Sequence, residues 1–103
     1  MNEYRQFVKA CLQNRKRNSS RPLDVPNMFM ELIGELGEAA NAYKHACSWS
    51  KQEEFSAEYE HLKEEMGDLL WYVFALCEVM HLDVKELMEK NRQKLNERYG
   101  TNL

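Results

Sequence analysis

Apolar residues recur along this chain at intervals of three and four, the spacing that gathers side chains on one face of an α-helix. Tyr4, Phe7, Val8, Cys11 and Leu12 form the first such stripe. It predicts an amphipathic helix ending near the polar run NRKRNSSRP, where Pro22 favours a loop. Asp24 is placed to cap a second helix, with Pro26 close to its first turn. That helix is expected from about Pro26 to Ala46, with Met28, Leu32, Leu36, Ala39 and Tyr43 sharing a broad apolar sector with Phe29, Ile33 and Ala40. The stretch CSWSKQEEFSAEY reads as a connector in which Ser50 and Glu53 have the form of a capping box. A third helix is expected from about Ala57 to Met80, with Glu65, Asp68, Tyr72, Leu76 and Val79 on one side and Leu70, Phe74 and Cys77 on the other. After a short turn at His81-Leu82, Asp83 and Glu86 repeat the capping-box pattern. A fourth helix follows, with Val84, Leu87, Met88 and Leu95 inward and Gly100 as its stop.

These elements make an all-α fold, an antiparallel helical bundle of about four helices. At 103 residues the chain is read as one domain spanning 1–103. A chain of this size buries only about two-thirds of its unfolded surface. The third helix is apolar nearly all round and must be covered nearly all round. A homo-oligomer, dimer or tetramer, is therefore expected to complete the bundle. The formal charge of -3 offers no bulk attraction for a nucleic acid polymer or an anionic membrane. The longest apolar run, LLWYVFALC, is roughly half of the ~18 residues that suggest a membrane span. MNEYRQFVKA lacks the apolar stretch of a signal peptide. Cys11, Cys47 and Cys77 have neither disulfide-framework nor CxxC spacing and read as small buried hydrophobes. The expected location is cytoplasmic.

The acidic residues change this picture from a plain bundle to a site. Glu31, Glu35 and Glu38 border the apolar sector of the second helix, and Glu64, Glu65 and Asp68 lie on the third. At about 6 Å and an effective dielectric near 20, each like-charge pair costs roughly 3 kcal/mol. A cation between them removes that cost. Glu35-x-x-Glu38 facing Glu65-x-x-Asp68 would supply the oxygen ligands magnesium prefers, leaving positions for water and phosphate oxygens. Such an ion would screen a polyphosphate and help to ionise an attacking water. Gly34 and Gly37 are poor helix formers, so a close neighbour, helix or ligand, is expected beside them.

The segments ELIGELGEAANAYKH, EEMGDLLWYVFAL and NRQKLNERYG together resemble the MazG-like all-α nucleoside triphosphate pyrophosphohydrolases, over roughly Phe29 to Gly100. The paired ExxE and ExxD motifs carry the resemblance; either alone is common on helix surfaces. It implies hydrolysis of a nucleoside triphosphate between its α and β phosphates to a monophosphate and pyrophosphate, serving nucleotide-pool cleansing or control of a particular deoxynucleotide level. It implies Mg2+, or Mn2+ in its place, held by Glu35, Glu38, Glu65 and Asp68. It further implies that Asn91, Lys94, Arg98 and Tyr99 lie near the substrate phosphates. Many members carry Glu-Glu at the start of the first motif, where this chain has Gly34. Glu31, one turn earlier, or Glu64 is then the candidate to orient water.

Plainer readings stand beside these. The acids could be a solvated border, and Asn91, Lys94 and Arg98 a solvated face suited to the helix dipole. Trp71 and Tyr72 read as packing or subunit contact, while Trp49 in the connector could equally stack on a base. His45, His61 and His81 read as surface or capping groups. Arg15-Lys16-Arg17 and Arg21 read as a polar loop or as reaching a neighbour's substrate. A di-iron site would use Glu58-x-x-His61 and Glu78-x-x-His81, but both fall on one helix, about 30 Å apart. A non-enzymatic helical interaction module, or an inactive relative, is the remaining alternative.

Overall fold

A computed structural model describes residues 2–21, 23–48 and 57–103, with the side chains of 47 and 48 excepted. The expected roles of Pro22, the Cys47 side chain, Trp49 and the Ser50–Glu53 pair lie outside the described residues. The described residues form α1 (Asn2–Asn18), α2 (Val25–Ser48), α3 (Ala57–Val79) and α4 (Val84–Tyr99). The fold is all-α.

Local chemistry sets the helix ends. The Asp24 side chain accepts from the Asn27 amide at 2.9 Å, starting α2 one residue before Pro26. The Asp83 side chain caps α4 by accepting from the Lys85 amide at 2.9 Å. At the end of α3 the Leu82 amide reaches the Cys77 carbonyl at 2.8 Å and the His81 amide reaches Glu78 at 3.3 Å. This is the Schellman arrangement, and it puts His81 at φ 58, a left-handed conformation that glycine takes more easily. Gly100, at φ 66, closes α4.

Packing centres on the α2–α3 hairpin, with α1 laid against α3. The antiparallel register shows in the cross-pairs: Glu31 meets Tyr72, and two turns further along α2 Glu38 meets Glu65. Val8 and Leu12 of α1, Met28 of α2 and Phe74, Ala75 and Leu76 of α3 form the core. Tyr4 meets Phe74 edge to face, with ring centroids 5.0 Å apart.

Two expectations change here. Leu87 and Met88 of α4 are 41% and 52% exposed, and α4 has no buried residue; among the described residues only its start, at Val84, packs against the core. Beyond their chain neighbours and their own helix backbone, Gly34 and Gly37 have no described atom within 4 Å of where a Cβ would stand. The close neighbour expected at each is not part of the described chain.

Candidate functional site

Glu35 and Glu38 stand one turn apart on α2, and Glu65 projects from the facing turn of α3. Carboxylate oxygens of all three lie within 4.8 Å of one another. Glu65 is buried, and one oxygen of Glu35 and one of Glu65 are shut from solvent with no hydrogen-bond partner among the described residues. Burial raises the Glu35 carboxyl from 4.5 to about 7, aided by its hydrogen bond with Glu65 and the charges of Glu38, Glu65 and Asp68. Without a cation, Glu35 therefore retains a proton near neutrality. Buried, unpartnered oxygens beside like charges are the donor set a hard divalent cation fits. Asp68 is exposed and stands outside the group of three, although its charge acts on Glu35.

A cavity of about 490 Å³ opens beside these acids, lined by Glu38, Asn41, Ala42 and His45 of α2 and Ala57, Glu58, His61 and Glu65 of α3. His61 bridges the acids of its own helix, with Nε2 3.5 Å from Glu65 and Nδ1 3.8 Å from Glu64. Sequence reasoning left Asn41, His45, Glu58 and His61 out of the site. Helical spacing was the available signal: Asn41 and His45 follow Glu38 by three and seven residues, and His61 precedes Glu65 by four.

Glu31 has a different setting from the other acids. Arg15 of α1 donates to both its oxygens, at 2.9 and 2.8 Å. The Tyr72 hydroxyl donates to it at 3.1 Å and Asn27 Nδ2 at 3.1 Å. Burial pushes the Glu31 carboxyl up, but the hydrogen bonds from Arg15 and Tyr72 and the charges of Arg15 and Arg21 outweigh it, leaving it below its usual range. A carboxylate so occupied has little capacity to take a proton from water, although it is one of the two candidates to orient water. Arg15, read from sequence as part of a polar loop, is buried in α1. Glu64, the other candidate for that role, is exposed on α3.

The model of the MazG nucleotide pyrophosphohydrolase domain matches residues 25–101. The chain belongs to this family. The MazG match takes in α2, α3 and α4, and so every carboxylate of the site. The chain is also 25% identical over 95 residues to the uncharacterized protein YvdC of Bacillus subtilis (strain 168), covering 90% of each chain. Comparison with solved structures finds no match. No described helix is long and apolar enough to cross a membrane. Asn91, Lys94, Arg98 and Tyr99 are exposed on α4, and none lines the cavity beside the carboxylates. Trp49 lies outside the described residues.

Proposed function

We propose that this MazG protein hydrolyses a nucleoside triphosphate, a deoxynucleotide or a non-canonical nucleotide, to the monophosphate and pyrophosphate. The observation that carries the reading is the Glu35–Glu38–Glu65 group with its two buried, unpartnered oxygens. These residues would hold Mg2+ or Mn2+, with Asp68 beside them. When bound, such an ion neutralises phosphate charge and lowers the pKa of water. The cavity shares Glu38 and Glu65 with this group, so a nucleotide whose phosphates meet the acids can place its nucleoside part against Asn41, His45 and His61. Its volume is within the range of small-molecule sites. Glu64 is the remaining candidate to orient water.

The same reading makes the protein a homo-oligomer, dimer or tetramer. Ile33, Leu36 and Tyr43 of α2 and Met66 and Leu70 of α3 are all more than half exposed. Covering them by a second copy would remove a large apolar surface from water. It would also let the Asn91, Lys94 and Arg98 face of a neighbour's α4, with Tyr99, approach the phosphates. The reaction would serve cytoplasmic nucleotide-pool cleansing. The test is pyrophosphate release by Glu38→Gln and Glu65→Gln beside the wild type. A fall of at least about 100-fold with the fold retained supports the assignment, and full activity in either variant removes it.

A further inference from the structure

The Arg15–Glu31–Tyr72 network has a geometry that points to more than stability. Glu31 lies one helical turn before Glu35, about 6 Å along α2. Tyr72 lies one turn after Asp68 on α3, at the matching end of the antiparallel pair. Their hydrogen bond joins the two acid-bearing helices directly. The double contact from Arg15 fixes the Glu31 carboxylate in orientation, because a guanidinium fork accepts a carboxylate in essentially one plane. The Arg15 side chain is 7% exposed and that of Glu31 18%. A buried ion pair contributes little net stability compared with apolar residues of the same size, and its best-attested use is to set register. Once ionised, as a cation requires, the carboxylates one turn away repel one another and tend to part the helices. Magnesium accepts oxygen ligands only within a narrow range, near 2.0–2.1 Å.

We infer that Arg15, Glu31 and Tyr72 form a clamp that sets the register of α2 against α3 and thereby positions Glu35, Glu38 and Glu65 for a divalent cation. The clamp residues touch neither cation nor substrate and act as positioning residues. α1, which carries none of the carboxylates of the metal group, thereby becomes part of the site through Arg15. The inference rests on the cation reading of the acidic group.

The test is Mn2+ affinity, read by the loss of the free-ion electron paramagnetic resonance signal, at a temperature where every variant is folded by circular dichroism. Tyr72→Phe removes one hydrogen bond and changes no charge at neutral pH. Arg15→Met combined with Glu31→Gln removes the ion pair and keeps the local charge balance. Leu12→Ala destabilises the core and keeps all three clamp side chains. The expected result is affinity weakened by about 10-fold in the two clamp variants, the lower end of what outer-shell partners of metal ligands contribute, and unchanged in Leu12→Ala. Wild-type affinity in both clamp variants overturns the inference alone, as does an equal loss in Leu12→Ala. A wild-type protein that binds no Mn2+ overturns the cation reading and the inference with it.

Discussion

At the scale of single residues, Glu35 makes a sharp thermodynamic demand. Its folded pKa of about 7 lies above the 4.5 of an ordinary glutamate, first because it is buried and then because Glu65, Glu38 and Asp68 crowd it. Between those values the folded, metal-free protein keeps a proton that the unfolded chain has released. This group's contribution to stability is therefore greatest below about pH 4.5, falls as pH rises to about 7 and is level above that. A cation must displace the same proton. Calorimetric titration with Mn2+ in buffers of different protonation enthalpy should show close to one proton released per ion at about pH 6 and almost none at about pH 8. Equal release at both would contradict the assignment. His81 gives a second residue-scale prediction. Its left-handed backbone costs roughly 1 kcal/mol or more that glycine avoids. His81→Gly should raise the urea midpoint accordingly, and a lower midpoint would mean that the imidazole makes a compensating contact.

Helix identity was legible in the sequence wherever periodicity and capping agreed. The Asp24 and Asp83 caps and the Gly100 stop fall where their side-chain and backbone chemistry put them. The pairing of α2 with α3 through acids at matching turns was legible for the same reason. Arg15 was not, because three consecutive basic residues look alike until the fold turns one toward Glu31 of another helix. Nor was Glu31's separation from its acidic neighbours, since spacing along one helix says nothing about donors arriving from α1 and α3. The glycines of α2 illustrate the same limit. Helix propensity marked them as costly, yet beyond its own helix backbone and chain neighbours no described atom lies within 4 Å of where a Gly34 Cβ would stand. Gly34→Ala should stabilise by up to about 1 kcal/mol in chemical denaturation. A loss instead would show that another copy or a ligand occupies that space.

For the whole molecule, amphipathicity told which faces seek cover but not what covers them. Val84, Leu87, Met88 and Leu95 do form a stripe on α4, and beyond Val84 it is largely unpaired among the described residues. The expectation of self-association comes from the small chain and the all-round apolar third helix; the exposed apolar side chains of α2 and α3 and this face of α4 are surfaces a second copy could cover. Sedimentation velocity at micromolar concentration should show a dimer or tetramer, and Leu70→Glu, which puts a charge on a residue 53% exposed, should dissociate it with α-helical content retained. A wild-type monomer would contradict the oligomeric reading and leave Asn91, Lys94 and Arg98 with no neighbouring chain to serve. Whether the acidic group works on phosphate is decided by pyrophosphate release from a panel of canonical and modified nucleoside triphosphates, with Mg2+ and with chelator, the products identified. Mg2+-dependent formation of a nucleoside monophosphate and pyrophosphate is expected from at least one member of the panel. Folded, oligomeric protein that releases none, or release undiminished by chelator, would contradict it.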